Sequence, residues 1–281
     1  MRLSQGLRKG EIVRKTEKYK ISLLNSLQTS LTYRFHFFAG LLILIVPFII
    51  KLCLWKLAFA SVHYGEIKGY TYGEIIVYHV FSMVFAYLNE SHVEYRIAAE
   101  IKEGTLSQYL VKPISHMLYW GSRFMGEKFV NAVYVFAFMG LFSVFWGHCV
   151  ERYAAVSYLP FVIFAVFLSM ILTFVLYYGI SLLAFWFFDI SYFFAAISFI
   201  LSVMSGEVIP IDVMPEFLNE LFSIMPFSYS VHFPVQILMG KLSMRQMIFR
   251  LLMQIIWIIL LVLACRLAWN RGLEKYESAG G

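Results

Sequence analysis

The residues of this chain that could do chemistry are few and scattered. His79 lies inside one apolar run, EIIVYHVFSMVFAYL, and Lys51 and Lys56 lie inside another, IIKLCLWKLAFA. An ionisable group in such surroundings is a functional suspect, because its charged form is costly away from water. The three are therefore candidate pathway residues. The plainer reading of the lysines is that their stems reach to a nearby interface, and that of His79 is a buried, satisfied ring. His92 and Glu94, in SHVEYR, could hint at a metal or proton site. They stand two apart, so a helix turns them to different faces, and a solvated helix end explains them better. Cys53, Cys149 and Cys265 lie in or beside apolar runs without C-x-x-C spacing, and they read as small buried hydrophobes. No Ser/His/Asp order, G-x-S-x-G or paired carboxylates point to an enzyme. A G-x-x-x-x-G-K-[ST] loop is also missing, since Gly240-Lys241 is followed by Leu242. The chain cannot hydrolyse ATP by that motif, and it is expected to bind neither cofactor nor metal of its own.

The elements that position these residues must live in lipid. Of 281 residues 60% are hydrophobic and 14% charged, and the mean hydropathy is +0.73, far from a soluble composition. Several apolar runs can cross a hydrocarbon layer of about 30 Å, which takes roughly 20 helical residues. They are continuous rather than alternating, which selects helices over a barrel. The expected fold is all-α: one polytopic domain over residues 1–281 with six transmembrane helices. They fall at about 37–60 (interrupted by Pro47), 74–88, 129–150, 159–188, 192–205 and 251–269. The N-terminus carries no signal of the cleavable kind.

The net charge of +6 gathers at membrane edges, so lipid and orientation explain it better than nucleic acid. One side holds the basic residues of the N-terminal segment through Arg34, then Arg96, Lys102, Lys112, Arg123 and Lys128, and Arg271 and Lys275. The other offers Lys68, Arg152, Lys241 and Arg245. Both termini are thus expected on the cytoplasmic side. Trp120, Trp146, Trp186 and Trp269 fall near expected interfaces, as aromatic belts do.

Three segments are not plain spans. In the first, residues 1–34, a basic stretch leads into ISLLNSLQTSLTYR, with Ile21, Leu23, Leu24, Leu27 and Leu31 on one face and Ser22, Asn25, Ser26 and Thr29 on the other. This reads as an amphipathic helix lying in the interface. The second, residues 89–128, contains IKEGTLSQYLVKPIS. Gly104 can end a helix continuing from the second span. Thr105 and Gln108 have capping-box spacing, Leu106, Tyr109 and Leu110 share a face, and Pro113 is a stop. The short helix so defined either covers the bundle end or docks a cytoplasmic partner. The third, residues 207–240, carries Pro210, Pro215, Pro226 and Pro234 in an apolar setting with Glu207, Asp212, Glu216 and Glu220. It reads as short broken helices dipping back into the outer face, a backbone tolerated only where protein or a water-filled cavity covers it.

This order of parts resembles the ABC-2 type family of ABC transporter permeases, closest to the bacterial subgroup of this length without a large outer domain. Two stretches carry the likeness. One is Gly104, Leu106, Leu110, Lys112 and Pro113. The other is Gly206, Pro210, Pro215, Pro226, Phe227, Pro234 and Gly240. The resemblance implies an exporter subunit of the plasma membrane, in bacteria the inner membrane. It implies pairing with a second permease, identical or homologous, and docking of cytoplasmic ATPase subunits that carry the ATP and Mg. Coupling would fall to Glu103, Gly104, Thr105, Leu106, Gln108, Tyr109, Leu110, Lys112 and Pro113. An outer gate would be built from Gly206, Glu207, Pro210, Pro215, Phe217, Leu218, Pro226, Phe227 and Pro234. The competing readings are a self-sufficient secondary transporter and a membrane-embedded enzyme. One broken region, rather than one in each half, speaks against the first of these.

Overall fold

The computed structural model describes residues 17–28, 34–61, 65–153, 156–187 and 190–276. The basic residues up to Lys15, and residues 188–189 between the fourth and fifth expected spans, lie outside them. The fold is all-α. Helix α1 covers residues 17–28. Its small serines face the protein most closely: Ser26 donates to the Arg123 carbonyl at 2.7 Å, and Ser22 and Ser26 are buried, Leu23 and Leu27 half-buried, and Ile21 and Leu24 exposed. That leaves Ile21 and Leu24 for lipid.

Helix α2 runs from Arg34 to Ala60 straight through Pro47. The expected interruption does not occur, since losing one i→i−4 bond need not end a long helix in an apolar setting. A two-residue-strand hairpin follows, with Glu66 opposite Thr71 and Ile67 opposite Tyr70. Lys68 and Gly69 make its turn, both at positive φ, the backbone that a tight hairpin requires. Thr71 then caps α3 (Tyr72–Asn89) through a full capping box with Glu74, which sets the start of the second expected span.

Helix α3 does not continue to Gly104, as the sequence suggests. The chain leaves the helix at Glu90, with φ −55° and ψ 136°, and α4 (Val93–Lys102) restarts after His92. Asn89 holds the break. Its amide donates to the Phe85 and Ser230 carbonyls at 2.9 and 2.8 Å, and its oxygen accepts from Ser169 and Thr173, each at 3.2 Å. Every polar atom of this buried side chain is thereby satisfied.

A single turn, α5 (Ser107–Leu110), precedes the 38-residue α6 (His116–Tyr153). Helix α7 (Leu159–Ser181) tightens into a 3-10 stretch at Leu182–Phe185, and α8 spans Ser191–Met204. Short helices α9 (Glu216–Ile224) and α10 (His232–Leu238) lie before α11 (Met244–Leu273). A Ser243–Gln246 capping box starts α11, seven residues earlier than the apolar run suggests. Among the described residues, Leu159–Phe185 and Met244–Leu273 are long and apolar enough to cross a membrane, and Tyr192–Met204 is a shorter apolar helix. Helix α7 is the centre of the bundle. It packs on α11, α4, α10, α6 and α3, and Leu172, Leu182, Ile97, Ile75 and Phe233 close the core around it.

Candidate functional site

The segment after α4 is built on Glu100. Gly104, at φ +77°, turns the chain out of α4, in the left-handed conformation that glycine adopts without strain. The capping box of Thr105 and Gln108 does not form: the turn that starts α5 has no side-chain cap. Instead the Thr105 hydroxyl and the Leu106 amide both return to the Glu100 carbonyl, at 3.4 and 3.0 Å. The Glu100 carboxylate receives the Tyr109 hydroxyl at 2.8 Å, and Trp120 Nε1 and His116 Nε2 at 3.0 Å each. With a carboxylate at Nε2, His116 accepts the Tyr178 hydroxyl at Nδ1, 3.1 Å away. Trp269 stacks on the His116 ring at 4.9 Å between centroids. From the C-terminal end of α11, Tyr276 donates to the Gly104 carbonyl at 2.6 Å.

A turn too short to be stable alone is therefore clamped to α4, α6, α7 and α11. Leu106 is its buried anchor, whereas Leu110 and Val111 are 46% and 82% exposed. The shared face expected for Leu106, Tyr109 and Leu110 is thus divided, with Leu106 facing in and Leu110 out. Glu103, Gln108, Lys112 and Pro113 are exposed beside Leu110. Glu100, His116, Tyr178 and Tyr276 were not singled out by sequence. Trp120 and Trp269 face this cluster rather than an aromatic belt. The side chain of Trp146 lies outside the described residues.

The proline-rich segment descends into the bundle and returns to the hairpin end. Each proline stands at the start of an element: Pro210 before the 3-10 turn Ile211–Val213, Pro215 at the cap of α9, Pro226 first in the 3-10 turn Pro226–Tyr229, and Pro234 in the first turn of α10. A missing N–H costs nothing there. At the top, Asp212 Oδ2 accepts Tyr70 at 2.8 Å and Gln236 at 2.6 Å, and His232 Nε2 lies 3.4 Å from Oδ1. Burial alone would raise the Asp212 carboxyl, but His232 and the Tyr70 hydroxyl outweigh it and hold it at about 2.

Gly206, at φ +80°, offers its carbonyl to Tyr78 at 2.7 Å. A Cβ there would meet His232 and Tyr78 at 2.9 Å. Lower down, Ser230 meets Asn89, and the Tyr229 and Ile224 carbonyls accept from Gln254 and Trp257 of α11. The return passes Lys241, whose ammonium lies 3.0 Å from the centre of the Tyr70 ring. Helix α10 is buried throughout. Helix α9 buries nothing, leaving Phe217 and Ile224 exposed and Leu218 half-buried.

Where the α3–α4 break meets α7, α8 and the tip of this segment there is a cavity of about 360 Å³, lined by Glu90, Glu94, Thr173, Ser198, Glu207 and Phe227 among others. His92, also at its wall, is exposed and lies 3.5 Å from Glu90. Glu94 is not at a solvated helix end: it is buried at 1% exposure, and its Oε2 has no hydrogen-bond partner.

Of the three candidate pathway residues, Lys51 and His79 lie near each other on either side of Trp55, and Lys56 stands apart. His79 is buried and accepts Trp55 Nε1 at 2.6 Å, with Nδ1 unpartnered. Lys51 donates to the Glu207 carbonyl at 3.0 Å and lines a separate apolar cavity of about 630 Å³ between α2 and the proline-rich segment. Lys56 is exposed on α2.

The sequence profile described as ABC-2 family transporter protein matches residues 36–280. A comparison with curated proteins finds no match.

Proposed function

The chain belongs to the ABC-2 family of transporter proteins and is a membrane permease subunit of an ABC transporter, and from this premise we propose that it forms the export path for a substrate driven across the plasma membrane by separate ATPase subunits. Six spans carry the path: α2, α3, α6, α7, α8 and α11, with α4 in the cytoplasmic segment after the break. The Lys/Arg distribution puts the α5 end and both termini in the cytoplasm, and the hairpin end outside. A bacterial inner membrane fits this polarity. The proline-rich segment is the outer gate, and a second permease, identical or homologous, completes the path. ATP and Mg reside on the partner ATPase.

The observation that carries this reading is the α5 turn. It is held by four helices, yet it presents Leu110 and Val111 outward. A rigid, exposed apolar knob is what a docking surface for a cytoplasmic partner needs. Leu110→Asp and Val111→Asp are expected to lower co-purification of the ATPase at least tenfold, about 1.4 kcal/mol, and to abolish transport while leaving membrane levels and thermal stability unchanged. Leu106→Asp is the contrasting variant. Leu106 is fully buried, so its replacement unfolds the knob and lowers stability as well. Undiminished ATPase capture by both Leu110→Asp and Val111→Asp refutes this docking surface.

A further inference from the structure

The cavity at the α3–α4 break is lined mainly by acidic groups, with one imidazole, His92, 3.5 Å from Glu90. Its lining residues include three carboxylates, Glu90, Glu94 and Glu207, and neither a lysine nor an arginine. Two ammonium groups lie outside the lining: Lys51, which donates to the Glu207 carbonyl, and Lys128, which is 3.9 Å from Glu127 and whose charge also reaches Glu90 and Glu94. Between the carboxylates stand hydroxyls of Thr173, Ser198 and Ser202, and the ring of Phe227. A space of this size accepts a small organic molecule.

Glu94 is the group that the fold leaves unexplained. It sits on the buried face of α4, and one carboxylate oxygen is sealed from water without a donor. An unpaired buried polar atom costs stability. The Ser91 hydroxyl and the Glu94 backbone amide serve the carboxyl group, but Asn89 and Thr173 are committed to one another, and Oε2 is left without a donor. A carboxyl oxygen without a donor, beside a space with acidic and aromatic walls, is complementary to a positive charge on an apolar frame.

We infer that this cavity is a binding site for an organic cation, an amine or quaternary ammonium on an aromatic or aliphatic body, with Glu94 as its principal counter-charge and Glu90 and Glu207 at its flanks. This deepens the permease reading, and rests on it for the word substrate. Glu94 lies between the docking turn and the proline-rich tip, where an exported molecule would be held before release. Shape comes from Phe227 and the wall of α8, and charge selection from the carboxylates.

The test is equilibrium binding of 1-methyl-4-phenylpyridinium to the full chain in lipid nanodiscs, with biphenyl-4-carboxylate as an anion of similar shape. The wild-type chain is expected to bind the pyridinium saturably and the carboxylate not at all. Glu94→Gln is expected to weaken binding at least tenfold while keeping or raising thermal stability, because the amide removes a buried charge. Glu220→Gln, on exposed α9, is expected to leave binding unchanged. If Glu94→Gln does not fold, Ser202→Phe decides, since it fills the cavity from α8 and is expected to abolish binding. Absence of saturable pyridinium binding, equal binding by a folded Glu94→Gln, unaltered binding by Ser202→Phe, or equal binding of the carboxylate overturns the inference. Binding is read on the chain alone, so its failure leaves ATPase docking standing. Loss of docking with binding intact would sink the permease reading and spare the site.

Discussion

Replacing Gly206 by alanine tests whether the proline-rich segment is a packed part of the bundle. Two costs apply. The backbone is at φ +80°, where an L side chain costs roughly 1–2 kcal/mol. The new methyl would then lie 2.9 Å from His232 Cβ and from the Tyr78 hydroxyl, and 3.2 Å from Ile211 Cγ1. His232, Tyr78 and Ile211 are all buried, so relief requires moving α10, α3 or the turn after Pro210. Overpacking of this kind costs about 1–3 kcal/mol, and displacing Tyr78 from the Gly206 carbonyl adds about 1 kcal/mol. The sum is about 3–6 kcal/mol. Gly69 is the control, because it has a similar φ of +76° and a methyl added there would meet nothing within 4 Å. Gly69→Ala therefore carries only the backbone cost of roughly 1–2 kcal/mol. At about 2–4 °C per kcal/mol, thermal unfolding in detergent is expected to drop roughly 5–15 °C further for Gly206→Ala than for Gly69→Ala. Equal drops would show that the methyl meets no resistance, and the packed-segment argument would fail.

Two further outcomes are expected. Asp212 is held below its ordinary carboxyl value, at about 2. The stability it contributes is thus fully present above the ordinary value near 4 and is lost as pH falls through the folded one. The difference in melting temperature between wild type and Asp212→Asn should stay constant from pH 8 to 5 and shrink below about pH 4; a difference that shrinks between pH 8 and 5 contradicts the assignment. Single cysteines introduced at residues 68 and 275 should be labelled by an impermeant reagent from opposite sides of the membrane, and labelling from one side would refute the orientation.

The long apolar stretches were the most legible part of the chain, because continuous hydrophobicity needs no tertiary context to be read. Helices α7, α8 and α11 overlap most of the runs expected for the last three spans, the fourth span passing into a 3-10 stretch at Leu182–Phe185 and the fifth ending at Met204. Boundaries were readable where a local motif sets them. Thr71 with Glu74 and Ser243 with Gln246 both have capping spacing, and attention to those pairs would have placed the starts of α3 and α11. Thr105 with Gln108 has the same spacing and fails. There the Glu100 carbonyl, free at the end of α4, competes for the hydroxyl and the Leu106 amide. The break at Glu90 was not legible, since EYRIAAEIK continues an acceptable helical pattern. What stops the helix is Asn89, whose partners Ser169, Thr173 and Ser230 are remote in sequence. For the same reason Glu94 read as solvated: its burial depends on α7 and α8. Lys51, Lys56 and His79 were legible by type alone, and type could not show that Lys51 and His79 flank Trp55 while Lys56 is exposed.

The second break alters one step of the functional argument. A self-sufficient transporter is disfavoured if only one region is broken, but the chain is interrupted both at Glu90–His92 and along residues 207–240, and the two interruptions touch where Asn89 meets Ser230. The distinction therefore rests on family membership and on the docking turn, not on the number of breaks. The same contact explains why each break is tolerated. Carbonyls freed by leaving a helix need donors when water is absent. Asn89 supplies one to Ser230 and one back to Phe85, and Gln254 supplies one each to Ala165 and Tyr229. Interrupted backbone satisfied by side chains of α3 and α11 can change shape by exchanging a few hydrogen bonds, which a continuous helix cannot do. The packed route from the docking turn to this point is short: Glu100 to His116, His116 to Tyr178, and then along α7 to Thr173, which holds Asn89. On the permease reading, that route places the non-helical residues Glu90 to His92 where movement of α4 by the ATPase would open or close the acidic cavity. Adding helix propensity at that point, as in Ser91→Ala, would then oppose transport without touching the docking turn, while also removing the hydroxyl that serves the Val93 amide and the Glu94 carboxyl.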